Sequence, residues 1–176
     1  MHEDKKKLRK IGIIMSIFIA SAMGIVASVV ISHRPDAQTP PFPVFCAINV
    51  IESIIVGLLV EFFVPLDKLG KSLAAKANAY PPSVMFNLLN SIPFSVGNSV
   101  IVSMVVSFIN ISLAHSKIPA EVAPPLLGMW FASWAPLLLP SILVSYVISI
   151  VISPVVVGLV MGKNARITPD EKKDEA

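Results

Sequence analysis

The chain has 176 residues, of which 55% are hydrophobic and only 14% charged, and its formal net charge is +3. Its mean hydropathy is +0.78, whereas a soluble domain carries about 25% charged residues and a fold this small has too little interior to hide such a composition. These values argue against a soluble enzyme or a disordered chain. The basic residues flank apolar runs and do not alternate with aromatics along a groove, so they also argue against a nucleic-acid-binding module. The expectation is an all-α integral membrane protein. A single cysteine, Cys46, cannot close an internal disulfide and says nothing about redox compartment.

A bilayer core about 30 Å thick needs roughly 20 apolar residues as helix. Four stretches qualify: 11–32, 44–66, 94–114 and 126–161. Lys5, Lys6, Lys7, Arg9 and Lys10 precede the first stretch, and Lys68, Lys71 and Lys76 follow the second. Lys163 and Arg166 follow the fourth, while the other two loops hold only Arg34 and Lys117. Lys and Arg collect on the cytoplasmic side, so both termini and the middle loop are expected there, in the cytoplasmic (inner) membrane. Asp36 and Glu121 are then expected outside. The first run is longer than the roughly 7–15 residues of a signal-peptide core and is read as an uncleaved helix.

The last run is too long for one straight span, and Pro136, Pro140 and Pro154 interrupt it. Proline breaks or kinks helices. An oblique interfacial segment is therefore predicted over 128–135, with the span proper starting near Pro140. Trp130 and Trp134 suit an aromatic belt at the outer interface. In the middle loop Leu66, Leu69, Leu73 and Ala77 recur at helical spacing, as in a short amphipathic helix on an anionic leaflet. Pro81-Pro82 would end it. The third helix would then begin early, near Ser83, with a kink at Pro93.

Small residues recur at every fourth position in the first and third stretches. One series is Gly12, Ser16, Ala20, Gly24, Ser28 and Ser32; the other is Ser91, Ser95, Ser99, Ser103 and Ser107. Four residues is about one turn, so each series lines one side of its helix and permits close helix packing in lipid. The two stripes are expected to pack against each other or across a dimer. The following loops also correspond: Ser32-His33, Pro35, Asp36 and Pro40-Pro41 match Ala114-His115, Pro119, Glu121 and Pro124-Pro125. Pro65 and Pro154 hold similar places near the inner ends. The expected architecture is a four-helix bundle of two tandem, parallel helical hairpins with N-in/C-in topology. Its parts are a first hairpin with basic flank over 1–66, a cytoplasmic linker over 67–90, a second hairpin over 91–162 and a disordered cytoplasmic tail over 163–176.

Residues 95–162, with Ser103-Met104, a proline-containing outer loop, Trp130-x-x-x-Trp134 and Pro154, resemble an uncharacterised bacterial family of small two-span integral membrane proteins. The first half is a weaker copy that lacks the tryptophans and carries Glu52 instead. The resemblance implies a hairpin fold, here duplicated, and nothing about substrate.

No catalytic constellation, metal-type cluster or phosphate-binding loop is visible, so neither an enzyme nor a cofactor is expected. His33 and His115 lie in equivalent loops, where solvated histidines are commoner than a metal or pH site. Cys46 reads as a small buried hydrophobe. The intramembrane polar residues Asn49, Glu52, Asn98 and Asn110 are the candidate site. A carboxylate at membrane depth costs several kcal/mol unless protonated, paired or hydrated. No intramembrane cation pairs Glu52, so it is expected to donate, in its protonated form, to Asn98, Asn110 or serines of the third span. Glu61, near Lys68 and Lys71, reads as structural. The functional expectation is a non-catalytic membrane scaffold or accessory subunit, working with the lipid bilayer and a homo-oligomeric or membrane partner, not with nucleic acid. The alternative is a small transporter or channel-like protein with Glu52 as a proton- or cation-responsive site.

Overall fold

In the computed structural model the chain forms five helices, which we label α1 (His2–Ser32), α2 (Phe42–Phe63), α3 (Leu66–Lys76), α4 (Val84–His115) and α5 (Leu126–Met161). The structure describes residues 2–33, 39–64, 66–80, 83–119 and 121–161; side chains before Arg9, and those of Asp67 and Met161, lie outside this description. The expectations for Asp36, Pro65, Pro81-Pro82 and the 163–176 tail also fall outside the described residues. Four helices, all but α3, are long and apolar enough to cross a membrane.

Local chemistry sets the helix ends. Pro43 occupies the first turn of α2, where its missing N–H has no intrahelical partner to lose. Ser83 caps α4 by accepting from the Phe86 N–H at 3.1 Å, one of the otherwise orphaned donors of a helix start. α3 ends with Asn78 at φ 53°, a left-handed conformation that asparagine tolerates better than most residues. The Ala79 N–H then reaches the Ala74 carbonyl at 2.9 Å and the Asn78 N–H the Ala75 carbonyl at 3.0 Å. This is the paired closure of a Schellman-type stop, and it tucks Ala79 into the interior.

The long helices alternate in direction and form a ring in which α1 lies between α2 and α5, and α4 lies between α5 and α2. The diagonal α1–α4 contact is slight. Met15, Ile19, Met23, Val56, Val60, Phe94, Val102, Val106 and Val156 fill the middle. Outside, α2 shows Ile48, Ile51, Ile55 and Leu59, and α5 shows Leu139, Leu143, Val147, Val151, Val155 and Leu159. In water such continuous apolar faces would be a liability.

Two expectations are corrected. α5 is one continuous helix of 36 residues, not an oblique segment over 128–135 followed by a span from Pro140. Pro136 and Pro154 sit on exposed positions and Pro140 on a half-buried one, so their lost backbone bonds face away from the packed seam. Similarly, α3 does form, but its buried face is Leu66, Gly70 and Ala74. Leu69 and Leu73 of the predicted stripe point outward. Gly70 crosses α4 at Asn90, leaving no room for a side chain, and Leu66 lies over Gly97.

Candidate functional site

Three of the four predicted polar residues meet. Asn49 is completely buried and its amide nitrogen donates to Ser28 Oγ and to the Phe45 carbonyl, both at 3.1 Å. Its oxygen accepts from Asn110 Nδ2 at 2.9 Å. The same Asn110 nitrogen lies 3.0 Å from the Val106 carbonyl and 3.3 Å from Glu52 Oε2. Two N–H groups thus face three acceptors, and Glu52 holds the longest contact. Ser28 passes its own hydroxyl hydrogen to the Gly24 carbonyl at 2.8 Å. The chain of bonds ties α1, α2 and α4 together at one level. In the contact between Asn110 and Glu52, Asn110 donates and Glu52 Oε2 accepts.

Asn98 stands apart. It is 1% exposed and neither of its side-chain polar atoms has a partner among the described residues. It lies between Phe94 and Val102 on the face of α4 that contributes to the core. A buried amide of this kind calls for a water or another polar group.

The stripes have different partners from those expected. That of α1 packs on α2. Ser16 Oγ donates to the Gly57 carbonyl at 3.0 Å, and a Cβ at Gly57 would stand 2.9 Å from the Ala20 Cβ. Gly24 lies against the Val50 backbone, where an added Cβ would be 2.6 Å from Val50 Cα. The α4 stripe packs on α5. Ser99 Oγ and Ser145 Oγ lie 2.6 Å apart, one donating to the other, and the Ser141 and Ser95 carbonyls stand as acceptors 3.2 Å from Ser99 Oγ and Ser145 Oγ respectively. Trp134 Nε1 donates to Ser103 Oγ and Trp130 Nε1 to Ser107 Oγ, each at 3.0 Å. The tryptophans stack with ring centroids 5.8 Å apart. Their indole N–H groups point into the α4–α5 seam, so they do more than mark an interface.

The α5 side of that seam was not anticipated. Ser133, Leu137, Ser141, Ser145 and Ser149 are all buried and recur at every fourth position. That spacing was a usable signal, masked by the prolines of the same run, which suggest helix breaks.

His33 Nδ1 donates to the Val29 carbonyl at 2.7 Å and His115 Nε2 to the Pro124 carbonyl at 2.9 Å; each serves its own helix end or turn. Cys46 is half-buried. Glu61 faces Gly12 of α1. Among the described residues no three His, Cys, Asp or Glu side chains gather as a metal ion would require.

Cavities open within the ring. A small one of about 10 Å³ adjoins Ser53, Ser103, Ser107 and Ser141, roughly the space of one water. A larger one of about 290 Å³ lies at the other end, between Arg9, Glu61, Ser91 and Ser149. Glu52 lines neither. Comparison with protein-family models, curated proteins and solved structures found no match to this chain.

Proposed function

We propose that the protein is an integral membrane scaffold or accessory subunit, inserted in a cytoplasmic membrane with both termini and α3 on the cytoplasmic side. In this reading the chain is two tandem hairpins, α1–α2 and α4–α5, of the small two-span type it resembles. The apolar outer faces of α2 and α5 contact lipid, and the protein acts by assembly with copies of itself or with a membrane partner. It carries out no catalysis. The orientation rests on the Lys/Arg asymmetry. Impermeant thiol labelling of Glu121→Cys, but not Lys71→Cys, in a Cys46→Ser background would support it; the reverse would contradict it.

The observation that carries the scaffold reading is the state of Glu52. Its half-buried carboxyl accepts from Asn110 in a node that joins three helices. A transport site must exchange protons or ions with water. The unpaired Asn98 amide favours the rival transporter reading, since it calls for internal water. Reconstitution in liposomes with an internal pH dye, using wild type, Glu52→Gln and Glu52→Leu, separates the two. The scaffold reading expects no flux above the lipid leak, a normally folded Glu52→Gln and a less stable Glu52→Leu. Flux in the wild type that disappears in a well-folded Glu52→Gln would establish transport instead.

A further inference from the structure

The small cavity and the larger one are stacked along the bundle axis, with the same spacing on all four long helices. Met15, Glu61, Phe94 and Ser149 line the larger cavity, and Met23, Ser53, Val102 and Ser141 line the small one. On each helix the two residues are eight apart in the chain, ~12 Å along the axis. Midway between them, one turn from either, stand Ile19, Gly57, Asn98 and Ser145. These four form the layer that separates the cavities. The layer is closely packed: Ile19 and Ser145 are 0% exposed, and an added Cβ at Gly57 would lie 2.9 Å from the Ala20 Cβ.

Three members of the layer are satisfied. Ile19 has no polar side-chain atom, the Gly57 carbonyl accepts from Ser16 Oγ at 3.0 Å, and Ser145 Oγ lies 2.6 Å from Ser99 Oγ. Asn98 is the exception. Its amide nitrogen and oxygen are both buried without a hydrogen-bond partner among the described residues, and so is the hydroxyl of Ser95. Residues three apart on a helix have neighbouring side chains, and Ser95 lies on the larger cavity's side of Asn98. Orphaned buried groups are costly, and three at one place call for a shared partner. A buried water makes about three hydrogen bonds, which matches these three atoms. The larger cavity, at about 290 Å³, can supply it. Met15 lines that cavity and is an unbranched, adaptable side chain that repacks readily.

We propose that Asn98 and Ser95 hold an internal water, drawn from the larger cavity past Met15, and that Ile19 stops hydration at this layer. The bundle is wet from the Arg9 end as far as Asn98 and closed to bulk water beyond it, a blind site for water and not a passage. The inference goes beyond the scaffold reading and uses neither the role of Glu52 nor the orientation in a membrane.

The test uses the full chain in neutral detergent, labelled with ¹⁵N-asparagine, and reads water-to-amide magnetisation transfer by NMR. The Asn98 side-chain amide is assigned by its loss in Asn98→Ser. It should receive water magnetisation about tenfold faster than that of Asn49, the scale of one hydrogen bond. Asn49 is equally buried, but its amide nitrogen is bonded to Ser28 and to the Phe45 carbonyl. Ser153→Leu, which fills the larger cavity from a half-buried position, should bring Asn98 down to the Asn49 rate. Gly158→Ala, where an added Cβ meets nothing within 4 Å, should leave it unchanged. An Asn98 amide as slow as that of Asn49 would overturn the water site, and fast transfer that survives Ser153→Leu would overturn the route. The seal is read in a Cys46→Ser, Val102→Cys background with a small hydrophilic thiol reagent. Ile19→Ala should speed modification at position 102 severalfold; if that variant does not fold, Ile19→Val should still speed it measurably. An unchanged rate in the folded variant would overturn Ile19 as the seal.

Discussion

The α1–α2 and α4–α5 seams share a four-residue period of small residues but close by different physics. In α1–α2 the backbones come together: Gly24 abuts Val50, and Gly57 abuts Ala20. Hydrogen bonds are few there, chiefly Ser16 to the Gly57 carbonyl and Asn49 to Ser28. In α4–α5 glycine plays no part, since an added Cβ at Gly128 or Gly158 would meet nothing within 4 Å. Serine hydroxyls and tryptophan N–H groups cross that seam instead. The comparison teaches that a small-residue stripe marks a seam without fixing its chemistry. Glycine makes the seam steric and intolerant of bulk; serine makes it polar, with its strength spread over many modest bonds.

The largest expected effect is at the steric seam. Gly24→Leu places a branched side chain where even a Cβ would lie 2.6 Å from Val50 Cα, so its cost should exceed the ~1–3 kcal/mol of ordinary overpacking. Size-exclusion chromatography should show loss of the folded, monodisperse species. Val26→Leu, away from the stripe, should not.

Next comes the node joining the two halves. Asn49→Leu removes the bonds to Ser28, to the Phe45 carbonyl and from Asn110 together, and should cost ~1–3 kcal/mol. Thermal melts in detergent should place it well below Asn110→Leu, because Asn110 is less buried.

The polar seam should yield more gently. Ser99→Ala and Ser145→Ala should each cost about 0.6–1.7 kcal/mol, the range for interhelical hydrogen bonds in membranes. A double-mutant cycle should show them strongly non-additive, since they share the 2.6 Å contact. Full additivity would mean that the bond contributes nothing. Smallest of all, Gly158→Ala should change stability by no more than ~0.5 kcal/mol, with a slight gain from helix propensity.

Much of this was legible in the sequence, because period and composition report directly on helices. The apolar runs placed the four long helices, and the four-residue spacing marked one side of both seams. Partner choice was not legible. A stripe of Ser and Gly does not say which neighbour it meets, so α1 was expected on α4 although each stripe meets its next long helix in the chain. Asn49, Glu52 and Asn110 converge because α2 and α4 run antiparallel at one level, while Asn98 is about three turns away from Asn110 on α4. The continuity of α5 was hidden because proline's local preference was allowed to outweigh Ser133, Ser141, Ser145 and Ser149, whose spacing needs an unbroken helix to share one face.

The central claim is that each stripe seals its own adjacent pair. Disulfide cross-linking in a Cys46→Ser background tests it most directly. The pairs Ser28→Cys with Asn49→Cys, and Ser99→Cys with Ser145→Cys, should oxidise readily, since the native side chains meet across each seam at 3.1 Å and 2.6 Å. The pair Ala20→Cys with Ser103→Cys should not form an intramolecular bridge. Efficient bridging of the 20–103 pair with failure of the other two would show that the stripes face each other, and would contradict the pairing of α1 with α2 and of α4 with α5.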